Sequence, residues 1–231
     1  MTIKTHFDER FMNHWTTLSM HHNVNEIIHA LKSNFEIDSF IYRKAYADGK
    51  RIYLTSHPER TKWYFQNNIF MHDAYQAAPK NYKSGCAVWP FDEKHSSITE
   101  QMKERFGFTG GLSLIEANDN EIEIFSFNSA SSHHSSINKL INNQDFLKRF
   151  TDHFRDKACD LIKHAELTAM IDLSPYLSKN SSIDDPLKIS HSHLLNIPLK
   201  KFDNLSNREL QCVRLLTQGN TIKHIAKILQ L

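Results

Sequence analysis

Apolar positions along the chain recur at two spacings, and each predicts a different kind of element. Phe7, Phe11 and Trp15 follow a helical period, as do Val24, Ile27, Ile28, Leu31 and Phe35, so residues 8–35 read as two helices. Residues 39–46 are rich in Phe, Ile and Tyr and meet 51–55 across Asp48-Gly49, a pair that predicts a β-hairpin. Pro58 opens a helix that carries Tyr64 and Phe65. Residues 73–89, which contain Pro79 and Gly85 and run into Pro90, read as irregular. A helix is expected over 98–106, closed by Gly107. A second hairpin is expected from 111–116 and 121–128 over Asn118-Asp119-Asn120. From 137 to 170 the pattern is a long helical one, with Leu140, Phe146, Leu147, Phe150, Phe154, Cys159 and Ile162 among its apolar positions.

Helices alternating with paired strands predict a sheet covered by helices, an α/β (α+β) fold built as an α-β-α sandwich over residues 1–170. Residues 171–204 hold Pro175, Pro186 and Pro198 among many Ser, Asn and Asp, the composition of a linker. A third segment, 205–231, is helical again. Ser206 and Glu209 have the spacing of a capping box, and Leu210, Val213 and Leu216 share one face. Gly219 ends that helix. Thr221 can cap the next, whose apolar positions are Ile222, Ile225, Ala226 and Leu229.

Charge separates the two ends. The whole chain carries +2, but from Lys188 onward seven Lys and Arg face only Asp203 and Glu209, leaving the preceding part at −3. A basic tail on a mildly acidic body suits a C-terminal nucleic-acid module. No apolar run approaches the roughly 18 residues of a membrane helix, and the N-terminus lacks the apolar core of a signal peptide. Cys86, Cys159 and Cys212 are widely spaced, which predicts reduced thiols and a cytoplasmic protein. The His-rich pairs 21–22, 133–134 and 191/193 lack metal-ligand spacing. No phosphate-cradling glycine loop or nucleophile elbow is present. Neither a metal, a cofactor nor an enzyme is expected.

Residues 205–231 read Leu-Ser-x-Arg-Glu, then Gly-x-Thr-x-Lys-x-Ile-Ala-x-x-Leu, and this order closely resembles the start of the LuxR-type helix-turn-helix. The resemblance implies a DNA-binding transcriptional regulator with an N-terminal ligand sensor, acting as a homodimer or as a heterodimer with a relative. It also implies that Thr221, Lys223 and Lys227 approach DNA, at phosphates. The family's recognition helix would begin just after Leu231, so the helix-turn-helix is expected to be incomplete here. The alternative expectation is a sensor or interaction protein that does not bind DNA itself and acts by pairing with a full-length relative.

Further matches to the family's autoinducer-binding domain lie between about residues 58 and 128. Tyr64 and Asp73 stand nine positions apart, Trp89 occupies a pocket-aromatic position, Phe106-Gly-Phe-x-Gly-Gly111 resembles a glycine motif, and Ser126 matches a strand hydroxyl. The resemblance implies a cavity for a small-molecule signal lined by Tyr53, Tyr64, Asp73, Trp89 and Ser126, with Phe70, Phe91, Phe108 and Phe125 adding apolar surface. An acyl amide buried there needs an acceptor for its N–H and donors for its carbonyls. Arg60 stands where relatives carry the lactone-binding Trp. An Arg near the mouth favours an anionic or more polar ligand, and binding of ordinary acyl-homoserine lactones is expected to be weak.

Overall fold

The computed structural model describes residues 19–76, 78–89, 96–108, 110–130, 134–177, 208–209, 211–212, 215 and 220–230. The expectations for Phe7, Phe11 and Trp15, for Phe91, for the first C-terminal helix's Ser206, Leu210, Val213, Leu216 and Gly219, and for 178–204 lie outside the described residues.

Two short helices, α1 (His21–Ile27) and α2 (His29–Phe35), precede the hairpin β1 (Ser39–Tyr46) and β2 (Lys50–Thr55). Helix α3 (Pro58–Gln66) leads through three 3-10 turns, Ile69–His72, Ala74–Gln76 and Pro79–Asn81, into β3 (Gly85–Trp89). Then come α4 (Ser96–Phe106), β4 (Gly110–Ala117), β5 (Glu121–Ser129), α5 (His134–Asn142), α6 (Gln144–Lys157) and α7 (Cys159–Thr168). The six-stranded sheet runs β3-β4-β5-β1-β2-β6, and every neighbouring pair is antiparallel. This is the mixed helix-and-sheet class expected, with helical layers on both faces.

Strand periodicity divides the core. On one face Phe40, Tyr42, Ile52, Leu54, Leu112, Leu114, Phe125 and Phe127 meet Val24, Ile28 and Leu31 of the first helices and Leu140, Leu147, Phe150 and Phe154 of α5 and α6. The intervening strand positions turn to the other face, where α3, the 3-10 turns and α4 lie. Phe125, expected as pocket surface, therefore packs on the opposite side, against Tyr42 and Phe154. Its even-numbered neighbours, Ser126 among them, face the layer of α3, the 3-10 turns and α4 because side chains alternate along a strand.

Three further features differ from the pattern-based reading. Residues 85–89 are a strand, paired from Gly85 opposite Ile115 to Trp89 opposite Gly111, because the edge of β4 supplies the hydrogen bonds that local composition does not advertise. The helical run 137–170 is broken at Asn143 and Ala158. Ala158 is a strong helix former, so its break follows from packing and not from propensity. Residues 171–177, read as the start of a linker, form β6 (Ile171–Asp172), which extends the sheet beside β2, and α8 (Ser174–Leu177). Gly49 permits this: its φ is +93°, and a Cβ there would lie 2.6 Å from the Ser174 Cβ.

Near the C-terminus, α9 (Ile222–Leu229) is capped as expected, the Thr221 hydroxyl accepting from the His224 N–H at 3.3 Å. Ile225 is buried, whereas Ile222 is 52% exposed. Arg208 donates to the Leu229 carbonyl at 3.0 Å, a cation at a helix C-terminus, and this joins the two ends of the segment. Among the described residues no helix is long and apolar enough to cross a membrane.

Candidate functional site

The second face of the sheet carries an unusual load of polar groups for a buried layer. Ser39 and Arg43 of β1, Ser113 of β4, and Ser126 and Asn128 of β5 all point into it, and none is more than 7% exposed. Register places them in rows, Ser113 opposite Ser126 and Ser39 opposite Asn128. The Ser113 and Ser126 hydroxyls meet at 2.9 Å. Buried polar groups persist where they are hydrogen-bonded or serve a ligand.

Helix α3 and the turn after it supply the other wall. Pro58 sits at the first helical position and the His57 imidazole Nδ1 accepts from the Arg60 N–H at 3.2 Å, fixing the helix start. From there Tyr64 reaches the Asp73 carboxylate, its hydroxyl donating to Oδ2 at 2.5 Å. The Arg43 guanidinium donates to the same oxygen at 2.8 Å, and the Tyr75 N–H donates to Oδ1 at 2.9 Å. The Gln76 amide donates to the hydroxyls of both Tyr53 and Tyr64 at 2.8 Å. The Arg43 guanidinium also lies 5.7, 5.5 and 5.3 Å from the ring centres of Tyr53, Tyr64 and Tyr75, inside an aromatic cage.

These contacts set the charges. Burial works against an ionised Asp73, but Arg43 and the two hydroxyl and amide donors outweigh it and hold the carboxyl below its ordinary value. Burial likewise opposes the Arg43 charge, and Asp73 overcomes it and raises the basicity. Tyr64 is pushed well up, by burial first and then by the neighbouring Asp73, so its hydroxyl stays a donor. Tyr75 is also raised by burial, with the Ser113 hydroxyl acting in the opposite sense. Within the Arg43–Asp73–Tyr64–Gln76 group, the buried Arg43 Nε and Gln76 Oε1 have no hydrogen-bond partner among the described residues.

A second group lies beside the first. The Trp89 indole N–H donates to the Asn128 Oδ1 at 3.1 Å, and the Asn128 amide donates to the Ser39 carbonyl at 3.3 Å. Gly111 makes room for this: a Cβ there would lie 2.3 Å from the Phe127 carbonyl and 2.5 Å from the Trp89 Nε1. Trp89 packs in one cluster with Tyr75, Tyr82 and Phe108. Arg60, expected near a mouth, is buried, with Nε 3.5 Å from the Met102 sulfur, a terminal nitrogen 3.5 Å from the Ser39 hydroxyl, and the guanidinium over Phe108.

Of the residues expected to line a cavity, Tyr53, Tyr64 and Asp73 meet through Arg43 and Gln76, Trp89 and Arg60 meet through Asn128 and Ser39, and Ser126 lies on the same sheet face. Arg43, Gln76, Ser113 and Asn128 were not anticipated. Alternation held the signal for Arg43, which shares a strand face with the apolar Ile41 and Ala45. Among the expected DNA-contacting residues, Lys223 and Lys227 are exposed on α9, and Thr221 is its cap.

No protein-family model and no curated protein matches the chain. Among solved structures, SdiA in complex with octanoyl-rac-glycerol is 18% identical, with a TM-score of 0.40 over 96% of this chain and 78% of that one. A crystal structure of Escherichia coli SdiA in space group P6522 is 17% identical, with a TM-score of 0.42 over 96% of this chain and 84% of that one.

Proposed function

We propose that this chain is a LuxR-type regulator, a receptor and not an enzyme, which holds a small amide-bearing molecule between the sheet and the α3 wall. The observation that carries the reading is the Arg43–Asp73–Tyr64–Gln76 network, buried on a sheet face with an acceptor, Gln76 Oε1, and a donor, Arg43 Nε, left over. A ligand amide supplies what each lacks, its N–H to the glutamine oxygen and its carbonyl to the guanidinium. Asp73 already accepts three hydrogen bonds and, with roughly four lone-pair sites, can take one more. Its role is then chiefly to orient Arg43 and Tyr64. The C-terminal motif supplies the second half of the reading, in which Thr221 and Lys223 at the N-terminus of α9, and Lys227 in its last turn, approach phosphates. Ligand binding biases the protein toward its DNA-competent arrangement.

Calorimetric titration with straight-chain N-acylglycines and N-acyl-homoserine lactones tests the site. Saturable binding is expected, and Gln76→Leu should weaken it by about tenfold, the cost of one lost hydrogen bond in a dry site. Absence of binding across both series, or affinities indifferent to Gln76→Leu, overturns the reading. For the C-terminal half, Lys223→Ala and Lys227→Ala should each lower the salt dependence of DNA binding by about one unit of slope.

A further inference from the structure

Arg60 is the charge that the network around Asp73 leaves over. It is 8% exposed, yet its contacts among the described residues are the Met102 sulfur and the Ser39 hydroxyl, both at 3.5 Å, and the face of Phe108 at 5.2 Å. None of these is an anion. Asp73 acts on it electrostatically, but that carboxylate is held at 2.8 Å by Arg43, whose own charge repels Arg60. Glu59, its neighbour in the first turn of α3, is exposed. The His57 side chain uses its ring nitrogen as an acceptor for the Arg60 N–H and brings no negative charge.

Position in the helix adds to the imbalance. Arg60 lies in the first turn of α3, where the backbone dipoles already place partial positive charge, so a cation there is disfavoured and an anion is attracted. A buried arginine without a carboxylate partner is costly, and an anion that fills the site removes the cost. We infer that Arg60 is an anion receptor, and that the small molecule held by the proposed site carries a carboxylate that pairs with it, beside the Ser39 hydroxyl and above Phe108. This rests on the ligand-site reading given above. Burial, and after it the repulsion from Arg43, pulls the Arg60 basicity down to about 10, the direction expected of a cation awaiting its partner.

The two ends of the ligand then fall to two separate groups. The amide meets Gln76 and Arg43, and the carboxylate meets Arg60. Guanidinium and carboxylate form two parallel hydrogen bonds, which fix orientation as well as charge. A neutral ester or lactone in the same place keeps the shape and loses the pairing.

The test compares each N-acylglycine with its methyl ester by calorimetry on the full chain. The acid should bind at least about tenfold more tightly than its ester, since the pairing is charge-assisted and desolvated. Arg60→Gln should abolish that ratio, while Arg60→Lys should keep part of it. Circular dichroism checks that each variant is folded, and the acid-to-ester ratio of the unaltered protein decides the matter even if a variant is not. Esters that bind as tightly as acids to the unaltered protein overturn the anion receptor and leave the ligand site standing. Failure of both series to bind overturns the two together.

Discussion

Replacing Asp73 by Ala removes the acceptor of three part-buried hydrogen bonds and leaves the Arg43 guanidinium without its counter-charge. The size of the effect follows from the geometry. The two groups lie 2.8 Å apart with side chains 8% and 12% exposed, so solvent screens them little. Coulomb's law at an effective dielectric of about 20 gives about 6 kcal/mol of gross attraction at that separation. Desolvation of both groups offsets part of it, and removing one partner of such a pair costs about 3–5 kcal/mol. Urea unfolding followed by the fluorescence of the buried Trp63 and Trp89 measures this. The Asp73 carboxyl is held below its ordinary value of 3.8, so its contribution is complete above that pH and is lost as pH falls through the lower folded value. The difference between Asp73→Ala and the unaltered protein should therefore be full at neutral pH and shrink below pH 3.8. An Arg43→Met/Asp73→Ala double variant should be less destabilised than Asp73→Ala alone, since no buried charge is left unpaired. A loss of under about 1 kcal/mol for Asp73→Ala, the value of an exposed pair, would refute the buried network.

Other consequences are independent of that pair. Gly111→Ala should displace the Trp89 indole and cost about 1–3 kcal/mol, read as a lowered unfolding midpoint with red-shifted tryptophan emission; an unchanged spectrum would contradict the close approach. Burial, with a contribution from Arg60, lowers the His57 basicity, so the neutral ring caps α3 above its ordinary value of 6.5 and that stability is lost as pH falls through the lower folded value; His57→Ser should remove this pH dependence from unfolding curves. Burial pushes the Cys86 thiol up to about 12, whereas Cys159 is exposed, so alkylation at pH 8 should mark Cys159 and spare Cys86 until the protein unfolds, as peptide mapping would report. Thr221→Ala should cost about 1 kcal/mol of helix stability at the start of α9, visible as faster amide exchange over 222–225.

Much of the fold was legible because local chemistry and tertiary structure agree in the hairpins. Asp48-Gly49 forms the turn it predicts, and Gly49 takes the positive φ that the turn and the approach of Ser174 both require. Where the two levels part, pattern failed. Residues 85–89 become a strand through pairing with β4, which no local signal records, and Ala158 interrupts helices in spite of its propensity. The site divides the same way. Tyr64 and Asp73 could be matched by spacing, but their meeting depends on Arg43, contributed by a strand some thirty positions away, as the hydrogen bond between Arg43 and Asp73 records. Arg60 was visible as a departure from a family pattern. That its contacts among the described residues include no carboxylate was not, since that depends on what β1, α4 and Phe108 place around it.

The most direct test of the central claim, that a small molecule is held between the sheet and the α3 wall, is backbone hydrogen exchange with and without a saturating N-acylglycine. Ligand in this layer should slow exchange across the Asp73–Gln76 turn and the first turns of α3, with α5, α6 and α7 on the opposite face unchanged. Protection confined to α5–α7, or none at all under saturating conditions, would contradict it.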